Sequence, residues 1–100
     1  MKQYVYLIRP VRDHFMTTMT EEESAIMGRH FQYLQDRLAN NELILAGPCT
    51  DGAFGIVVFE EESEEAAQRF MESDPAVQTG VMKAELHPFK ASLLQSGKKS

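Results

Sequence analysis

The order of elements in this 100-residue chain predicts an α+β fold. The pattern is β-α-β-β-α-β, a ferredoxin-like antiparallel sheet with its helices on one face. Two observations carry it. Short runs of β-branched and aromatic residues stop at Pro or Gly. Between them, two longer stretches open on Thr or Ser, continue with acids and then repeat their apolar residues at helical spacing.

Lys2 to Arg9 is rich in aromatic and branched residues and ends at Pro10, so it reads as the first strand. Val11 to Thr18 reads as a loop. Thr20 and Glu23 form a capping-box pair, and Glu21 and Glu22 sit in the first turn, where acids favour the helix dipole. Met27, Phe31, Leu34 and Leu38 then recur at helical spacing as the expected buried stripe, and Asn40-Asn41 offers the stop. Glu42 to Ala46 is a short second strand closed by Gly47-Pro48. Asp51-Gly52 is a turn, and Phe54 to Glu60 is the third strand. Ser63 caps a second helix whose inner face is Ala66, Ala67, Phe70 and Met71. Asp74-Pro75 opens one further turn, ended by Gly80. Val81 to Leu86, continued loosely to Leu94, is the last strand. Residues 1–94 thus make a single domain, and 95–100 read as a frayed tail.

Composition narrows the function. A net charge of −5 disfavours binding to a phosphate backbone, and the basic pair Lys98-Lys99 sits in a Gly/Ser-flanked tail, so no nucleic-acid partner is expected. No apolar run approaches the ~20 residues that span a bilayer, and Tyr4 to Ile8 is too short for a signal peptide. The lone Cys49 excludes an internal disulfide and fits a reducing compartment. A soluble cytoplasmic protein is expected. No dinucleotide fingerprint or phosphate loop is present, and His14 and His87 share no metal-ligand spacing with His30. Neither a cofactor nor a metal is therefore expected.

The strands are apolar on both faces. Val5 and Leu7 oppose Tyr4, Tyr6 and Ile8 in the first, and Ile56-Val57-Val58-Phe59 is unbroken in the third. Two helices cover one face only, and a large apolar patch is seldom left in water. A second copy of the chain, packed sheet to sheet as a homodimer, is the simplest cover. A bound apolar ligand and a partner protein are the alternatives.

His30 is the leading chemical candidate, since imidazole is the commonest general base near neutral pH. Measured from the expected stripe it lies about 60–70° off centre, which also suits a boundary histidine bonded to a backbone carbonyl. Asp74, before Pro75, is an ordinary N-cap, yet a capping carboxylate keeps an oxygen free to orient an imidazole. Spacing alone leaves their contact open. Arg9, at the end of the first strand, is either an anchor for an anionic substrate or a surface arginine. Cys49 has no basic neighbour in sequence to activate it and reads as a small apolar filler. Ser24, Ser63 and Ser73 belong to helix termini, not to a nucleophile elbow.

Arg9-Pro10, Gly28-Arg29-His30-Phe31, Leu45-Ala46-Gly47-Pro48, Glu65-Ala66, Asp74-Pro75-Ala76-Val77 with Gly80, and His87-Pro88-Phe89 form an ordered set from Tyr4 to about Leu94. By these residues the chain resembles the YciI-like (YCII-related) family of small proteins. The resemblance implies a fold that dimerises through its sheets into an α+β barrel. It implies a His30–Asp74 dyad at a cleft beside the sheet, with the Gly47-Pro48 and Asp74-Pro75 turns framing the pocket. The wider group that the family resembles includes muconolactone isomerases, dehydrochlorinases and cofactor-free monooxygenases, so a site is implied without a substrate. The Val11–Thr18 loop departs from the shorter family members.

Two classes of function fit these residues. The first is a cofactor-free enzyme that eliminates, isomerises or hydrolyses a small anionic metabolite. His30 is its acid/base, Asp74 its orienting group, and Arg9, Gly47 and Pro48 line the substrate site. The second is a non-catalytic dimeric module that binds a small ligand.

Overall fold

A computed structural model describes residues 1–95. In chain order the elements are β1 (Lys2–Pro10), α1 (Phe15–Thr18), α2 (Glu21–Ala39), β2 (Leu43–Pro48), β3 (Gly55–Glu61), α3 (Glu64–Glu72), α4 (Pro75–Gln78) and β4 (Met82–Phe89). The strands form one antiparallel sheet in the order β2-β3-β1-β4. This is the expected α+β architecture. All of the tail but Gln95 lies outside the described residues, Lys98 and Lys99 included. Among the described residues no helix is long and apolar enough to cross a membrane.

β1 is central because every second residue of it is large and apolar. Tyr4, Tyr6 and Ile8 are buried under the helices, with Tyr6 opposite Val57 on one side and Leu86 on the other. Alternation turns Val5, Leu7 and Arg9 to the opposite face. An aromatic cluster lies within the core. Phe59 stacks on Phe70 at 4.1 Å between centroids, and Tyr6 meets Phe59 edge-on at 5.7 Å. Tyr33 of α2 meets Phe70 at 5.6 Å, which ties that helix to α3. Pro88 falls in β4, an edge strand, where a missing N–H is tolerated.

α2 begins as expected. The Thr20 side chain accepts from the Glu23 N–H at 3.1 Å, and Glu23 reaches back to the Thr20 N–H at 3.0 Å. Its buried face is not the expected one. Phe31 is 63% exposed and Leu38 55%, whereas Ile26 and Leu34 are buried, with Met27, His30, Tyr33 and Arg37 partly covered beside them. The inner face therefore runs through Ile26, His30, Tyr33, Leu34 and Arg37. The physical reason lies in the polar members. Tyr33 and Arg37 hold their heads in hydrogen bonds to Phe70 O and Glu42, so their stems and rings pack inward. His30 consequently stands on the buried side of the helix and not at its border.

The expected Val11–Thr18 loop holds the single turn α1. Phe15 drives it: the ring is fully buried, and the Arg12 guanidinium lies 5.1 Å above its centroid. Arg12 also makes a two-pronged ion pair with Glu23, fastening this segment to the start of α2.

Candidate functional site

Ser73 is the C-cap of α3, and Asp74 caps the next turn, with Oδ1 accepting from the Ala76 N–H at 2.9 Å. Pro75 at the first helical position fits this cap, because its fixed φ suits the helix and its missing N–H needs no partner. Gly80, at φ 79°, supplies the left-handed residue that turns the chain into β4. The short turn thus carries Asp74 into the interior, where it is fully buried.

His30 reaches the same carboxylate from α2. Its Nδ1 lies 2.7 Å from Asp74 Oδ1 and 2.9 Å from Oδ2. The structure therefore brings together the two residues that spacing had left apart, and Asp74 both caps α4 and holds the imidazole. A third donor comes from the sheet. The Tyr6 hydroxyl donates to Asp74 Oδ2 at 2.7 Å.

These contacts fix the protons. Burial first, and the adjacent Asp74 charge second, push the Tyr6 phenol far above its ordinary value, so the group stays a donor. A carboxylate that accepts from Tyr6, Ala76 and His30 takes the Nδ1 proton of the ring as its third bond. The neutral imidazole then keeps its free lone pair on Nε2. The His30 side chain is 12% exposed, and among the described residues its hydrogen bonds are made through Nδ1 alone, which leaves Nε2 without a protein partner.

Tyr33 borders the cluster. Its hydroxyl donates to Phe70 O at 2.8 Å, and burial pushes the phenol up to about 12, despite the opposing pull of Arg37.

Among the described residues the remaining candidates make no hydrogen bond or ion pair with His30 or Asp74. Arg9 lies on the far side of the sheet, 3.7 Å from Glu85 and with its guanidinium 5.6 Å above the Phe54 ring. Gly47 and Pro48 end β2 and line a shallow apolar groove with Leu45, Cys49, Phe54 and Ile56. Cys49 is a half-buried free thiol whose N–H donates to Phe54 O at 2.7 Å, closing the β2–β3 connection. Sequence reasoning missed Tyr6 and treated it as one apolar residue among several. The available signal was the strand period. A tyrosine between Tyr4 and Ile8 on the helix-covered face must find an acceptor for its hydroxyl.

A family model described as the YCII-related domain matches residues 2–90. A search of the curated proteins finds no match. Among solved structures, the fold is similar to a 5-chloro-2-hydroxyhydroquinone dehydrochlorinase from Burkholderia phenoliruptrix AC1100, determined with 2,5-dihydroxybenzoquinone. The TM-score is 0.64 at 18% identity, covering 87% of this chain and 93% of that one.

Proposed function

The chain belongs to the YCII-related domain family, and we propose that it is a small cofactor-free enzyme in which His30 is the general acid/base. The observation that supports this reading is the His30 Nδ1–Asp74 contact at 2.7 Å, which engages one ring nitrogen and leaves Nε2 available as the base. Asp74 holds the tautomer and stabilises the imidazolium formed when Nε2 takes a proton, the part an aspartate plays behind histidine in a triad.

In an elimination, Nε2 removes a proton from the substrate. The electron pair left behind forms the new double bond, and the leaving group departs with its own bonding pair. The imidazolium then returns the proton to water. Isomerisation differs only in returning the proton to another atom of the same molecule. A small anionic metabolite, possessing an acidic proton and a leaving group or double bond, suits this chemistry.

The homodimer belongs to the same proposal. Val5, Leu7, Leu45, Ile56 and Val58 share the sheet face that the helices leave open, and Arg9, Glu85 and His87 stand beside them. A second copy of the chain is the proposed cover. Arg9 stands on the open face of the sheet and Gly47 and Pro48 at the end of β2; a substrate-binding role for them is part of this proposal.

The first substrate to try is 5-chloro-2-hydroxyhydroquinone, named for the protein of similar fold, followed by other small anions that can lose a proton and a leaving group. Chloride release reads the first, and absorbance the others. Turnover should fall by ~10²–10⁴ in His30→Ala. Turnover that is unchanged in this variant overturns the reading. Binding of such anions without conversion favours the non-catalytic module.

A further inference from the structure

Tyr6 is fully buried at the centre of the sheet and spends its only proton on Asp74. A phenylalanine would fill the same space, since the ring already packs edge-on against Phe59 at 5.7 Å and Phe70 at 6.1 Å. The hydroxyl therefore adds little to packing. Burying it is worthwhile only because the carboxylate accepts it.

We propose that Tyr6 is a positioning residue of the His30–Asp74 pair: by donating to Asp74 Oδ2 it fixes the carboxylate and draws on its charge, so that the imidazolium at His30 is held less tightly and gives up its proton more readily. The bond lies on Oδ2, the oxygen 2.9 Å from His30 Nδ1, while Oδ1, at 2.7 Å from the ring, is shared with the Ala76 N–H. Each oxygen thus has one donor besides the imidazole. Removing the phenol leaves Oδ2 with more charge to offer His30, and a carboxylate with more charge stabilises imidazolium better.

The surroundings leave this effect visible. On the partly covered side of α2 the titratable groups besides His30 are Glu23, paired with Arg12, Tyr33, bonded to Phe70 O, and Arg37, paired with Glu42 at 2.9 Å; β2, which packs on α2, carries none. The helix-facing residues of β4 are Met82, Ala84 and Leu86, and those of α3 are Ala67, Phe70 and Met71, all apolar. From β1 the facing polar group is Tyr6, and from the start of α4 it is Asp74.

The proposal rests on the reading of His30 as a base, but its test needs no substrate. The His30 ring is titrated by NMR in wild type, Tyr6→Phe, Asp74→Asn and the double variant. Tyr6→Phe should bind the His30 proton roughly three- to ten-fold more tightly than wild type, seen as an upward move of the titration midpoint. In the Asp74→Asn background the same change should have no effect, because the charge it modulates is gone. An unmoved midpoint in Tyr6→Phe, or an equal move in both backgrounds, overturns the proposal. A confirmed move beside absent turnover leaves Tyr6 as assigned and removes only the enzyme.

Discussion

Asp74 is the residue on which the site and the fold both depend. It is fully buried and accepts from Tyr6, His30 and Ala76. Asp74→Ala strands a buried hydroxyl and a buried N–H and removes the cap of α4. It should cost about 2–4 kcal/mol in denaturant unfolding. That loss is expected whether or not the pair is catalytic, so Asp74 cannot separate an enzyme from a binding module. His30, partly exposed and bonded through one ring nitrogen, can: its replacement removes the base and leaves the cap intact. At this scale His30 and Asp74 were legible as types, an imidazole near an apolar stripe and an acid before proline. Their meeting was not, because 44 residues separate them and only tertiary packing closes that distance. The resemblance to a family supplied it. Tyr6 stayed hidden because its ring reads as core and its hydroxyl has no local partner.

The elements were legible where local chemistry dictates them. Thr20 with Glu23, Ser63, and Asp74 with Pro75 cap the helices they were expected to cap. The inner face of α2 was misread, because Phe31 and Leu38 fall on one helical stripe but stay exposed, while Tyr33 and Arg37 pack inward with their polar ends paired. α1 was missed because a single turn has no period; the burial of Phe15 makes it. The Arg12–Glu23 pair gives this region a pH signature. Hydrogen bonding from Arg12, and then from the Thr20 backbone, holds the Glu23 carboxyl at about 2, well below its ordinary value. The folded value lies below the unfolded one, so the stabilisation is present above the ordinary carboxylate range and disappears as pH falls through about 2. Glu23→Gln should therefore narrow the gap in melting temperature to wild type as the pH is lowered from 6 toward 2. A gap independent of pH would show that the pair adds no charge-dependent stability.

For the whole molecule, the two-sided apolar strands were legible from alternation alone, and the helices cover the face that Tyr4, Tyr6 and Ile8 share. The proposed cover of the other face is a second copy of the chain. The proposed homodimer makes a direct prediction. Leu7 lies mid-strand opposite Ile56 and Glu85, on the face turned away from the helices. Leu7→Lys places a charge at the centre of the interface and should convert a dimer to a monomer in sedimentation experiments, with helix and strand content retained. A wild-type monomer at all concentrations would remove the sheet-to-sheet assembly.

One proton decides whether His30 can act as a base. Nitrogen-resolved NMR of the His30 ring, at a pH where it is neutral, reports which ring nitrogen carries the hydrogen. The geometry predicts Nδ1–H, donated to Asp74, with Nε2 unprotonated and available as base. A ring protonated on Nε2 instead would contradict the dyad as described and leave His30 without the free lone pair that its proposed chemistry requires.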